Sequence, residues 1–290
     1  MRRLALLLAL VALVFAPSLA QARCAHPNYP LKLSTAAYGQ NLIFQSVDVY
    51  TPMAMQGEPL IVFVHGGGWI QGDKSQYAAL GRAFASCGVA FAAVNYRLAP
   101  MVSVQEQADD VALAVRWLHT AAGAQGYAPD RVFLMGHSAG AELAAFTATN
   151  AQALQNASLS KRDIAGVIAV DGAAYNPTLD VLLASGARSL WLDQIVFGAN
   201  LAGWQHYDIG RHLRGNEPPF LVVHGQQDRI VSVSQPRLLV DELRAAGDSV
   251  AYLQPDRDHM TVLQNMISLP DDPIRVAITR FVFTGSLQSL

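Results

Sequence analysis

Short apolar runs without a polar break recur along this chain, and stretches of helical periodicity separate most of them. LIVFVH from Leu60, VAFAAV (89–94), RVFLMG (131–136), IAGVIAV (164–170) and FLVVHG (220–225) read as strands buried on both faces. SVAYLQ (249–254) completes the set, while LIFQSVDVY (42–50) alternates partly, as an edge strand does. Residues from about 75 to 86, then 104–122, 138–150 and 234–247, carry helical patterns. Parallel strands need crossovers, so this alternation predicts an α/β domain: a mostly parallel twisted sheet flanked by helices on both faces. In such sheets ligands bind beyond the carboxyl ends of the strands.

One segment breaks the rhythm. Residues 172–217 run long between IAGVIAV and FLVVHG and carry Trp191, Phe197, Trp204 and Tyr207, which predicts a modest insertion over the site. The chain has 290 residues, enough for one domain with a continuous core. Its formal net charge of -2 offers no basic stripe for phosphates, which argues against nucleic acid as a partner.

The first residues, MRRLALLLALVALVFAPSLAQA, join two arginines to an apolar run and a small-residue ending. That pattern reads as a signal peptide over residues 1–22, cut near Ala22, with a single catalytic domain over 23–290 and a secreted or periplasmic destination. The apolar run is shorter than the ~20 residues of a spanning helix, so no stable membrane anchor is expected after cleavage. Export gives the two cysteines meaning, because disulfides persist in oxidising compartments. A Cys24–Cys87 bridge would tie down the mature N-terminus; a buried thiol at Cys87 with an idle Cys24 is the other reading, and both stay open.

Chemistry concentrates at predicted strand ends. LMGHSAGAEL (134–143) sets Ser138 between Gly136 and Gly140 where a strand turns into a helix, a corner that exposes a hydroxyl. A serine needs a base to take its proton and a third group to orient that base. Asp228, after FLVVHG, and His259, after SVAYLQ, follow in the chain order expected for a nucleophile at such a corner. His137 and His224 read as structural, and Asp110, Asp130 and Glu142 as cap and surface carboxylates. HGGGW (65–69) follows LIVFV, so the backbone N–H groups of Gly67, Gly68 and Ala139 are candidates for an oxyanion hole, with His65 bracing the loop. Trp69 and Trp204 are candidates for contacting an acyl or aryl group, with core packing as their alternative. No His or Cys cluster has metal-ligand spacing, so neither metal nor cofactor is implied.

Taken in order, HGGGWIQGDKSQY, VNYRLAP, GHSAGAEL, HGQQDRIV and DHMTVL resemble the α/β-hydrolase superfamily, in the carboxylesterase branch that carries the His-Gly-Gly-Gly motif. That branch includes hormone-sensitive-lipase-like, feruloyl-esterase-like and kynurenine-formamidase-like enzymes. The resemblance covers roughly residues 42–285 and implies the α/β-hydrolase fold, with the insertion between its sixth and seventh strands. It implies a serine hydrolase of small carboxylic esters, with a Ser138–His259–Asp228 triad and an acyl-enzyme. An aryl-formamidase and a non-catalytic binding protein are the alternatives; oligomeric state is open. Two departures stand out: the arm before Leu42 is too short for an extensive cap, and DGAAYN (171–176) replaces the Ser-Gly-type turn common after the sixth strand. With so little chain to cover the site, the pocket is expected to be shallow and to favour short acyl groups.

Overall fold

The computed structural model describes Cys24 and residues 30–53, 55–183, 187–288 and 290. The signal-peptide reading of residues 1–22 therefore lies outside the described residues. Among these, one sheet of eight strands runs β1 (Leu31–Ala37), β2 (Ser46–Pro52), β4 (Ala90–Val94), β3 (Glu58–Val64), β5 (Tyr127–His137), β6 (Gly166–Val170), β7 (Phe220–Val223) and β8 (Val250–Leu253). From β4 onward every pairing is parallel, as the apolar runs predicted; β1 and β2 are antiparallel.

The edge differs from expectation. LIFQSVDVY was read as an edge strand, but its first residues form a turn and β2 lies second from the edge with all seven residues buried. The edge is β1, whose LKLSTAA carries too weak an alternation to announce a strand; its hairpin register with β2, Leu31 opposite Pro52 and Ala37 opposite Ser46, supplies the order that side chains do not.

Helices cover both faces. α1 (Ala78–Ser86), α8 (Thr261–Ser268) and α9 (Pro273–Thr284) bury Leu80, Phe84, Val262, Met266 and Phe281 against Ile61, Phe63, Phe91 and Phe133. α2 (Val104–Gln125), α3 (Ala139–Thr149) and α7 (Ser234–Ala246) pack with Val62, Val64, Leu134 and Val222 on the other face. Sequence explains the limits of α2: Ser103 and Glu106 form a reciprocal capping box at its start, and Gly126 ends it at φ 89°. A short α4 (Ala151–Asn156) follows α3. The insertion between β6 and β7 holds α5 (Pro177–Leu183), α6 (Ala187–Phe197) and two 3-10 turns. Of the two cysteine readings the bridge is the one formed: Cys24 is bonded to Cys87, at the end of α1.

Candidate active site

Five loops meet at the carboxyl ends of β3, β5, β6, β7 and β8. After β5 the chain turns at Ser138 with φ 56° and ψ -128°, a backbone conformation a residue with a side chain holds only when its surroundings impose it. Two bonds impose it: Ser138 N–H donates to Val170 O at 3.0 Å, and Ser138 O accepts from Ala141 N–H at 2.9 Å. The flanking glycines are required by crowding. A Cβ on Gly136 would lie 2.0 Å from Gly140 O, and one on Gly140 would lie 2.1 Å from Val64 O.

His259 and Asp228 meet although 31 residues separate them: His259 donates Nδ1–H to Asp228 Oδ2 at 2.8 Å. Asp228 Oδ1 accepts from Ile230 N–H at 2.8 Å and Val231 N–H at 2.9 Å, which fixes the carboxylate plane. Burial works to raise its pKa, yet the His259 bond and the two backbone donors outweigh it and hold the carboxyl below the usual range. Asp228 is therefore ionised at neutral pH. His137 steadies His259 from behind, donating Nε2–H to the His259 carbonyl at 2.8 Å with the rings 4.6 Å apart. Burial, then the neighbouring His259, lowers His137 to about 4, so it is neutral there.

The HGGGW loop arches over the corner. A Cβ on Gly66 would come 3.1 Å from Ser138 Cβ, so loop and serine are in contact. Gly67 sits at φ 122°, which only glycine tolerates, and Gly68 and Trp69 follow at φ 59° and 62°. Among the described residues the loop's backbone bonds end on Gly67 O, from Ile70 and Gln71, and on Trp69 O, from Ala99, and use neither the Gly67 nor the Gly68 N–H. Ala139 opens α3, so its N–H has no intrahelical acceptor. His65 is buried and donates Nδ1–H to Gly66 O at 2.8 Å, while Tyr96 stacks on its ring and donates its hydroxyl to His65 O.

Several sequence expectations are corrected by burial. Trp204 has no exposed surface, packs on Phe197 and donates Nε1–H to Gly198 O at 2.7 Å, so it is a core residue and offers nothing to a ligand. Trp69 is only 3% exposed; its indole packs edge-on against Phe197 and its Nε1–H goes to Glu142 Oε2 at 2.9 Å. Glu142 is no surface carboxylate: it is fully buried, and burial raises it to about 8 against the lowering effect of Trp69. Asp110 is buried too, held by Arg97 through Nε to Oδ2 and Nη2 to Oδ1, each at 2.8 Å. Asp130 is exposed, as expected.

Asp171, at the end of β6, went unassigned in the sequence. The sign that pointed to it was the DGAAYN departure. It is fully buried and accepts from Gly225 N–H at 2.7 Å. Donor atoms of His137, Asp171 and His259, and of Asp171, His224 and Asp228, lie within 4.8 Å of one another, the two sets among the described residues able to close on an ion. In both, several of those residues already hydrogen-bond within the protein. A cavity of about 550 Å³ borders His259, with Ile230 and Met260 exposed at its rim.

Comparison with known proteins follows this geometry. A family model described as BD-FAE matches residues 47–243. Esterase LipC of Mycobacterium tuberculosis is 31% identical over 227 residues, which take in 72% of this chain and 55% of that protein. The isoprenylcysteine alpha-carbonyl methylesterase ICME of Arabidopsis thaliana is 26% identical over 217 residues, 69% of this chain and 50% of that one. The chain spans between 23% and 58% of the length of the curated relatives it matches. Among solved structures, esterase B from Lactobacillus rhamnosis superposes with a TM-score of 0.78 at 25% identity, covering 93% of this chain and 91% of that one. An esterase from the archaeon Pyrobaculum calidifontis shares the fold with a TM-score of 0.72 at 19% identity, covering 91% and 89% of the two chains. The strand order, the corner at Ser138 and a family match running from β2 into α7 lead to one assignment: the chain belongs to the BD-FAE family and has the α/β-hydrolase fold.

Proposed function

We propose that this protein is a serine carboxylesterase acting on small carboxylic esters through an acyl-enzyme. The observation that carries the reading is the 2.8 Å bond from His259 to an ionised Asp228 whose side chain is shielded from water, with His259 also held by His137, the residue before the strained corner at Ser138. Ser138 Oγ attacks the acyl carbon, His259 takes its proton and passes it to the leaving alcohol, and Asp228 keeps the imidazole in the required tautomer and stabilises its charged form. Gly67, Gly68 and Ala139 supply N–H donors to the oxyanion. The relatives named as esterases support the same chemistry.

Trp69 and Trp204 are withdrawn from the pocket, and the surface beside His259 offers Ile230 and Met260 as its apolar contacts. That surface takes in neither Ser138 nor the HGGGW loop, so the preference for short acyl groups rests on the insertion of residues 172–217, too short for a deep acyl tunnel. A long chain left in water gains nothing of the ~0.8 kcal/mol that each methylene would gain buried. Export is part of the reading: the n-, h- and c-region pattern of residues 1–22 supports it, as does a Cys24–Cys87 disulfide, a bond that persists in oxidising compartments.

The test is a substrate panel of p-nitrophenyl acetate, butyrate and palmitate, feruloyl esters and N-formylkynurenine, run on the wild type and on Ser138→Ala. A kcat/KM highest on the short esters, lost in Ser138→Ala together with labelling by a fluorophosphonate probe, is the expected result. Preference for N-formylkynurenine would move the protein to the formamidase branch; absence of both labelling and turnover would make it a binding protein.

A further inference from the structure

Asp171 replaces the Ser-Gly-type turn that the chain's other motifs lead one to expect, and the mechanism above leaves it unused. It ends β6 at φ 47°, strained for a residue with a side chain. Its N–H donates to Val223 O at 2.9 Å, its Oδ1 accepts from Gly225 N–H at 2.7 Å, and Gly225 O accepts in turn from Asp228 N–H at 3.1 Å. Asp171 is thus stapled to the turn that presents Asp228. Among the described residues its Oδ2 is buried without a hydrogen-bond partner, as are both ring nitrogens of His224 and the Tyr175 hydroxyl.

The groups around it are nearly all titratable. A carboxylate oxygen of Asp171 lies within 4.8 Å of ring nitrogens of His137 and His259, and within 4.8 Å of an Asp228 oxygen and a His224 nitrogen. His224 Nδ1 is 3.4 Å from Asp171 Oδ1. Burial raises Asp171 to about 7, with Asp228 and Asp258 adding to the rise and the Gly225 bond and His259 opposing it. Two carboxylates this close do not both ionise cheaply, and Asp228, with its backbone donors and His259, holds the charge.

We infer that Asp171 is a second acid of this site: a positioning residue that fixes the Asp228 turn through Gly225, and a reserve carboxylate for His259 when Asp228 is removed. This rests on the reading of Ser138, His259 and Asp228 given above. With Asp228 in place, Asp171 braces the turn. When the Asp228 carboxylate is deleted its repulsion disappears, Asp171 gives its proton to solvent, and the freed oxygen accepts the His259 N–H that Asp228 no longer takes.

A four-way comparison of kcat/KM on p-nitrophenyl butyrate tests this: wild type, Asp171→Asn, Asp228→Ala and the double variant, each confirmed folded by circular dichroism. The expected losses from Asp171→Asn are below about 10-fold in the wild-type background and above about 30-fold in the Asp228→Ala background, a coupling that a mere brace does not produce. Asp171→Ser is the second variant should Asn disturb the fold, because it retains an acceptor for Gly225 N–H without a carboxylate. Equal losses in both backgrounds, with Ser138→Ala inactive, overturn this inference alone. Full activity in Ser138→Ala overturns the reading of the site and this inference with it.

Discussion

Trp69 and Glu142 are joined by a 2.9 Å hydrogen bond from the indole Nε1–H to Oε2, tying the strained HGGGW loop to the first turns of the helix that follows Ser138. Gln107 Nε2–H and Ala99 N–H both donate to Trp69 O, so the residue is held at both ends. Position 142 is a carboxyl buried within an apolar helix, and its acidity follows from that.

The folded pKa of Glu142, about 8, exceeds its ordinary value of 4.5, so between these pH values the folded state binds a proton that the unfolded chain releases. Stability on this account is full below pH 4.5 and falls as pH rises toward 8. Asp171, Asp193 and Glu242, each raised to about 7 chiefly by burial, act with the same sign until pH has passed through that value; His137, lowered to about 4, opposes them only below 6.5. From pH 7 to 8 Glu142 should lower the unfolding free energy by about 1 kcal/mol, with Asp171, Asp193 and Glu242 together adding a drop of comparable size. Glu142→Gln keeps an acceptor for Trp69 and should remove about half of that slope. Urea melts at pH 7 and 8 check it: an unchanged slope in the variant refutes the assignment.

Asp228→Asn should lower kcat by about 10²- to 10⁴-fold, with the fold retained, since an amide opposite His259 Nδ1 no longer selects the tautomer that accepts from serine. Asp258→Asn is the control. Asp258 is exposed and caps Met260 and Thr261 N–H, so its loss should leave kcat/KM within about 3-fold. Steady-state kinetics on p-nitrophenyl butyrate separate the two; a silent Asp228→Asn would mean another acid serves His259.

Trp204→Ala should cost about 3–5 kcal/mol of stability, the range for emptying a large aromatic site in a core. Acyl preference should stay as in the wild type, because the ring reaches no surface. Chemical denaturation and the ester panel give the two readings. A stable variant with altered chain-length preference would return Trp204 to the pocket.

Removing the bridge with Cys24→Ser and Cys87→Ser should destabilise the protein by up to about 4 kcal/mol on the chain-entropy model for a separation of 63 residues. The drop in Tm measures it. Intact mass after alkylation without reductant provides the companion measurement, in which two added alkyl groups would exclude the bond.

The sequence by itself determined the parallel sheet, the corner at Ser138 and the order of serine, acid and histidine. Each of these is written locally: unbroken apolar runs mark strands covered on both faces, and glycines at fixed spacing mark a backbone with no room for a Cβ. Tertiary structure decided what depends on neighbours far along the chain. The edge strand β1 is ordered by pairing with β2 rather than by its own side chains, and the bond of Cys24 to Cys87, 63 residues on, is a tertiary contact that no local pattern writes. Trp69, Trp204 and Glu142 changed meaning for one reason. An indole in a sequence reads as a ligand contact and a glutamate as a surface group until the water around them is removed, and only the packing of distant elements removes it.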